Sequence, residues 1–298
     1  MDFDIIIIGG SYAGLSAALT LGRSTRNVLI IDAGWPCNKQ TPQSHNFLTH
    51  DGDQPAIIAK AAKAEVLKYP TIKFLDGLAI SGEAIAGGFS IGLENGESFK
   101  TRKVLLATGL KDILPSIKGF AECWGISVIH CPYCHGYEVR DEKIGLLING
   151  DHAFDMAKNL HHWNKDLTIL TNGKSQFTAE QTAKLEAKSI AILEDEIIEV
   201  EHVDGYLKNL VFKNGEKLAL KAVYARAEVV QHNHLYHDLG CELTELNTIK
   251  VNEQQQTAAN GVYAAGDCTT MFRSLSIVTA AGTMAAVMLN KEMISEDF

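Results

Sequence analysis

The chain has 298 residues, 46% hydrophobic and 21% charged, the balance of a soluble, well-cored protein of one large or two ordinary domains. A formal net charge of −9 excludes sequence-independent nucleic-acid binding, which relies on a basic surface. The opening MDFDIIIIGG has no basic leader, and its apolar run is too short to span a bilayer, so a cytoplasmic protein without a membrane anchor is expected.

Residues 4–32, DIIIIGGSYAGLSAALTLGRSTRNVLIID, run from an apolar strand (Ile5 to Ile8) through a glycine turn and a small-residue helix to a second apolar strand ending in Asp32. This is the strand–turn–helix–strand order of a dinucleotide fold. Gly9 makes the tight turn and Gly14 lets the helix pack closely on the sheet. Ser11 stands at the middle glycine position of the fingerprint, with Ala13 in the same turn. Helix N-terminal amides there would hold a pyrophosphate, and Asp32 would accept from a ribose hydroxyl. Further on, KVLLATG (103–109) is an apolar strand closing on Thr108 and Gly109.

The stretch HCPYCHGYE (130–138) contains the one close pair among six cysteines at positions 37, 123, 131, 134, 241 and 268. Zinc needs about four ligands, usually from two separated pairs. Here there is a single CxxC, and the cluster His232, His234 and His237 has no thiol near it, so no metal is expected. CPYC is also the glutaredoxin tetrapeptide, but such modules carry it near their own N-terminal strand. A redox-active pair remains. His135, directly after Cys134, has an unperturbed pKa near 6.5 and can take a thiol proton at neutral pH, which a carboxylate does poorly. The alternatives are that His135 is a helix-start residue bonded to backbone, or that His130 is the base.

Residues 143–171 repeat the strand–turn–helix–strand pattern, which marks a second, smaller domain bounded roughly by 113 and 225. Ile148 stands where the first fingerprint glycine would be. It would be strained if that backbone were left-handed, so a changed turn is expected. After the second strand, Lys174 is the one cation in TNGKSQFTAEQ, and Thr171 and Asn172 offer no acid for a ribose. Arginine–phosphate bonds are the strong part of NADPH recognition. The domain therefore reads as a scaffold for the CxxC. Near the C-terminus, residues 260–286 form a strand ending at Gly266-Asp267 and a helix rich in small residues.

Together, residues 4–32, 103–109 and 260–286 resemble the flavoprotein disulfide reductases, in which the corresponding pieces bind FAD. Length and the placement of the CxxC narrow the likeness to the low-molecular-weight thioredoxin reductases, of the class II pyridine nucleotide-disulfide oxidoreductase fold. The resemblance implies an α/β protein of two Rossmann-like, three-layer domains. An FAD domain in two parts, 1–112 and 226–298, would flank an inserted module, 113–225, that carries the CxxC. It implies FAD contacts from Gly9, Ser11, Ala13, Gly14, Asp32, Thr108, Gly109, Gly266 and Asp267. Loop 37–50 would add Lys39, Gln40, His45 and Asn46. Arg273, Ser274 and Leu275 stand where the family has an Arg-Gln-Ala stretch against the flavin ring, and only the arginine is kept.

The string from Cys131 to Glu138 resembles the thioredoxin-reductase-like dithiol oxidases, which close disulfides and pass the electrons through FAD to oxygen. By that resemblance Cys134 is flavin-proximal, delivering electrons to the flavin C4a, and Cys131 exchanges with a dithiol or disulfide substrate, either a small molecule or a thioredoxin-like protein. The favoured direction is dithiol oxidation in a homodimer. Its rivals are a thioredoxin reductase fed by NADPH or ferredoxin, and a flavin sensor or scaffold without turnover, against which the intact CxxC argues.

Overall fold

The computed structural model describes all 298 residues, which form two compact units. The first comprises Met1–Lys39, Asn46–Asp112 and Val229–Phe298; the second comprises Gln40–His45 and Ile113–Glu228. The chain passes between them along two paired strands, Lys111–Ile113 and Glu228–Val230.

The first unit is built on a seven-stranded sheet. Its strands β1 (Phe3–Ile8), β2 (Val28–Asp32), β3 (Ile72–Asp76), β4 (Ala79–Ile85), β5 (Gly88–Leu93) and β6 (Ser98–Leu106) lie in the order β3-β2-β1-β6-β5-β4. Strand Val262–Ala264 also pairs with β6. β1, β2, β3, β6 and Val262–Ala264 are parallel, whereas β4 and β5 form an antiparallel extension. The unbroken apolar run of β1 follows from burial on both faces. Ile5 and Ile7 pack into one core with Leu15, Leu21 and Leu289, while Ile6 and Ile8 pack into another with Phe89, Leu235 and Leu239. Helix α1 (Tyr12–Arg23) and the C-terminal helix (Leu275–Asp297) lie over the first of these cores.

The second unit has a five-stranded parallel sheet in the order Ala191–Leu193, Leu167–Leu170, Ile144–Leu147, Ala222–Ala225, Val128–Ile129. An antiparallel sheet of Ile197–Val203, Tyr206–Phe212 and Lys217–Ala219 adds to it. The unit takes in Gln40–His45, which the sequence alone places with the flavin loop. The Gln40 carboxamide ties that segment down by donating to the Ala121 and Trp124 carbonyls.

Small residues bring α1 and the C-terminal helix to backbone contact. A Cβ at Gly282 would run into the Ala13 carbonyl, and one at Gly14 into the Gly9 carbonyl. Gly282→Ala should therefore destabilise the protein by about 1–3 kcal/mol, because the obstacle is main chain and cannot rotate away. Urea denaturation measures it, and an unchanged midpoint would mean that the helices separate freely.

Candidate active site

In the first unit, the turn after β1 is shaped for close approach. Gly9 has φ +109°, and a Cβ there would strike the Ala107 carbonyl. The Gly10 N–H donates to Asp32 Oδ1 at 2.9 Å, which fixes the carboxylate at the end of β2 beside the turn. Ser11 is the N-cap of α1 but its side chain makes no capping bond, and no acid stands in the first turn. The N-terminal amides of α1 are thus neither capped by a side chain nor neutralised by one, as an anion site requires. Gly266, with φ +91°, closes the cradle from the C-terminal part, where a Cβ would come within 2.8 Å of the Ala13 Cβ. Gly109 is also left-handed, with φ +68°. Thr108 and Gly109 flank the buried Cys268 thiol, which burial pushes up to about 12. The donor set, the glycine cradle and the carboxylate fit a dinucleotide such as FAD.

Next to this cradle Arg273 is buried between two carboxylates. Its Nη1 lies 2.6 Å from Asp112 Oδ1, its Nη2 3.3 Å from Oδ2, and its Nε 3.3 Å from Asp267 Oδ2. Burial pushes the Asp267 carboxyl above its ordinary range against the opposing pull of Arg273. The exposed Cys37 thiol reaches Asp267 Oδ2 at 3.6 Å. Ser274 departs from the family's glutamine for a local reason: it caps the C-terminal helix, accepting from the Ile277 N–H at 3.3 Å, and Leu275 is that helix's first residue. Of the loop residues in this unit, Lys39 is exposed, and Asn46 is left-handed (φ 58°) with its carbonyl accepting from Ser276 Oγ at 3.2 Å.

In the second unit, Cys131 and Cys134 form a disulfide with Cα atoms 5.3 Å apart. Cys131 is the N-cap of the one-turn helix Pro132–His135, and His135 ends that helix with its N–H donating to the Cys131 carbonyl at 3.2 Å. The imidazole stands edge-on to that of His45, with centroids 6.5 Å apart, and His45 Nε2 lies 3.5 Å from Glu138 Oε1. Burial pushes His135 below the ordinary histidine value, the Glu138 carboxylate pulls it back up, and His45 lowers it further. His130 instead stacks on Trp124, with centroids 5.6 Å apart. Tyr224 is fully buried in this unit, its hydroxyl has no hydrogen-bond partner, and burial raises its pKa.

The second glycine turn is built differently from the first. The left-handed residue is Gly150 (φ 69°), not Ile148, whose side chain packs on the unit's core, so the changed turn relieves any strain there. Asn149 Oδ1 accepts from the Gly150 and Gln176 N–H groups at 2.8 and 3.0 Å, and its Nδ2 donates to the Lys174 carbonyl. Asp151 places a carboxylate in the first helical turn, held by Gln181 at 2.7 Å. Thr171 and Asn172 are also committed: Thr171 donates to Gly173 and Leu193, and Asn172 accepts from Ile197.

Glu138, Asp112 and Tyr224 carry no motif of their own, and only the folded chain brings them to these sites. Glu138 is the exception in one respect, since it closes the string that begins at Cys131. Asp112→Asn leaves the buried guanidinium one charge short and should cost about 3 kcal/mol in chemical denaturation; a loss below about 0.5 kcal/mol would show that Asp267 alone suffices.

Residues 3–285 match the pyridine nucleotide-disulphide oxidoreductase family. The protein named thioredoxin reductase aclD of Aspergillus oryzae is 30% identical over 297 residues, covering 96% of this chain and 94% of that one. A structure described as a candidate thioredoxin reductase, TrxB, of Bacillus anthracis superposes with TM-score 0.94 at 31% identity, covering 99% of this chain and all of that one. An oxidoreductase from Agrobacterium tumefaciens gives TM-score 0.93 at 35% identity over 99% of both chains. The two-Rossmann architecture has its counterpart in these likenesses, and the chain is a thioredoxin-reductase-like, FAD-dependent disulfide oxidoreductase of the pyridine nucleotide-disulphide oxidoreductase family.

Proposed function

We propose that this oxidoreductase runs as a dithiol oxidase and draws its electrons from a dithiol rather than from a nicotinamide coenzyme. One observation carries the reading: the second glycine turn is filled by the chain itself. The Asn149 carboxamide takes up the amides of Gly150 and Gln176, groups that would otherwise be open to a pyrophosphate. The first turn, with the same topology, has no such side-chain cap. Lys174 remains the one cation in the segment that would meet a 2′-phosphate.

Exchange begins when a substrate thiolate attacks the Cys131 sulfur, forming a mixed disulfide and releasing Cys134 as a thiolate. The second substrate thiol then attacks the substrate sulfur of that mixed disulfide, which closes the substrate disulfide, expels Cys131 as a thiolate and leaves Cys131 and Cys134 reduced. His135, neutral at pH 7 because burial lowers its pKa, takes the thiol proton as the attacking thiolate forms. Bound FAD supplies the two-electron acceptor that returns the pair to the disulfide, with oxygen as final acceptor. Gly9, Ser11, Ala13, Gly14, Asp32, Thr108, Gly109, Gly266 and Asp267 would hold it, with Arg273 fixing Asp267. The names of the relatives favour the opposite direction, in which an electron donor reduces the pair and the pair reduces a thioredoxin-like disulfide.

A homodimer belongs to the same reading. Ile277, Met284, Val287 and Ile294 are exposed along one face of the C-terminal helix at spacings of 7, 3 and 7, with Lys291 between the last two, and the apolar part of that face is of the kind that a second copy covers. Met284→Lys with Val287→Lys should convert a dimer into a monomer in light scattering, and an unchanged mass would place the interface elsewhere.

Anaerobic stopped-flow separates the two directions. A small dithiol should bleach the flavin quickly. NADPH and NADH should do so poorly, since losing two or more charge-assisted phosphate contacts weakens binding on the order of a thousandfold. Rapid bleaching by micromolar NADPH would instead favour the reductase. The dithiol-driven rate should rise with pH through a group below 6.5 and be flat at neutral pH, because the base works only in its neutral form. His135→Ala should remove that limb and slow the step about a hundredfold. Cys134→Ser should trap substrate on Cys131 as a mixed disulfide visible by mass spectrometry, and an adduct on Cys134 in Cys131→Ser would reverse the two roles.

A further inference from the structure

Three side chains from two separate segments meet beside the disulfide. His135 ends the CxxC helix, Glu138 follows it by three residues, and His45 comes from the segment Gln40–His45, some ninety positions earlier in the chain. The segment is fixed by the Gln40 bonds to Ala121 and Trp124 and by a close approach of Thr41 to Gly125, so His45 does not reach Glu138 as a loose loop would. Its imidazole is mostly buried, with 17% of the side chain exposed, while the Glu138 side chain is 37% exposed. Both imidazoles are partly buried, and Glu138 is the exposed member of the three.

We propose that Glu138 and His45 form the outlet through which His135 disposes of the thiol proton. The inference rests on His135 being the base and extends that reading. The balance is simple: the substrate S–H breaks as an N–H forms on His135, and that proton then leaves through the His45 imidazole and the Glu138 carboxylate to water, restoring neutral His135. No oxidant enters this step. Two imidazoles this close do not both hold a proton comfortably, and one carboxylate beside them stabilises a single shared charge. The charged and titratable groups facing His135 are Glu138, which favours its protonated form, and His45, which disfavours it. Glu138 also bears on the buried Tyr224 hydroxyl from the neighbouring strand Ala222–Ala225. Glu138 is thus a positioning and relay residue, distinct from the cysteines that touch the substrate.

The test uses the FAD-loaded protein, Glu138→Gln, His45→Asn and His135→Ala, with two readouts: NMR titration of the histidine rings in the oxidised protein, and the pH profile of anaerobic flavin reduction by dithiothreitol. Glu138→Gln should lower the His135 titration midpoint and move the kinetic limb down with it. Glu138→Gln and His45→Asn should each slow the neutral-pH rate about tenfold. Glu138→Asp should restore most of the rate. In a His135→Ala background neither substitution should slow the reaction further, because the outlet then serves no base. If His135→Ala removes the limb but Glu138→Gln leaves both the ring titration and the limb in place, the outlet is overturned while the base stands. If His135→Ala keeps its rate and limb, the base itself is overturned and the outlet falls with it.

Discussion

Everything in the first unit depends on main chain touching main chain around Ala13. Gly14 lies against the Gly9 carbonyl, Gly266 against the Ala13 Cβ, and Gly282 against the Ala13 carbonyl. These contacts join residue 9 to residue 282 without any intervening side chain, so the turn after β1 and the start of the C-terminal helix hold one geometry together. Amides and a carboxylate can point into a common cradle only if their backbones are held this closely. The glycines therefore set the position of Asp267 as firmly as they set the turn, and Arg273 pulls against the burial that favours the neutral form of that carboxylate.

The same supersecondary plan occurs twice and is used in opposite ways. A helix start with uncapped amides and no acid is an anion site. In the second unit the Asn149 carboxamide instead accepts from the Gly150 and Gln176 amides. Capping of this kind commonly stabilises a helix by about 1 kcal/mol, so the turn gains local stability from the same bonds that, in the proposed reading, take the place of a phosphate. In that reading the second Rossmann unit serves as a rigid mount for the disulfide.

Much of this was legible in the sequence, for identifiable reasons. The fingerprint at Gly9 and Gly14, the strand ends at Asp32, Gly109 and Gly266, and the CxxC are local patterns whose spacing carries their geometry. The loss of the second turn was visible as Ile148, although its replacement by Gly150 as the left-handed residue depends on how Ile148 packs into the core. Long-range partners were not legible. Asp112 and Glu138 look like ordinary surface acids until Arg273 and His45 arrive beside them, and the segment Gln40–His45 joins the second unit because of hydrogen bonds to residues 81 and 84 positions away. Sequence patterns report periodicity, and these contacts have none.

The chemistry at the disulfide makes a demand that a sulfur pair cannot meet alone. Each exchange cycle takes up protons from thiols whose ordinary pKa is near 8.5, so at neutral pH most of the reactant is in the unreactive form. A carboxylate is too weak a base to shift that population, and an exposed imidazole would be partly protonated. Burial of His135 removes that competing protonation but also makes the protonated state costly at the moment it is needed. The Glu138 carboxylate offsets that cost only in part, so His135 binds a proton in passing without retaining it. In the proposed relay the mostly buried His45 stands between the two, since a carboxylate in direct contact with His135 would hold the proton too tightly for the next turnover.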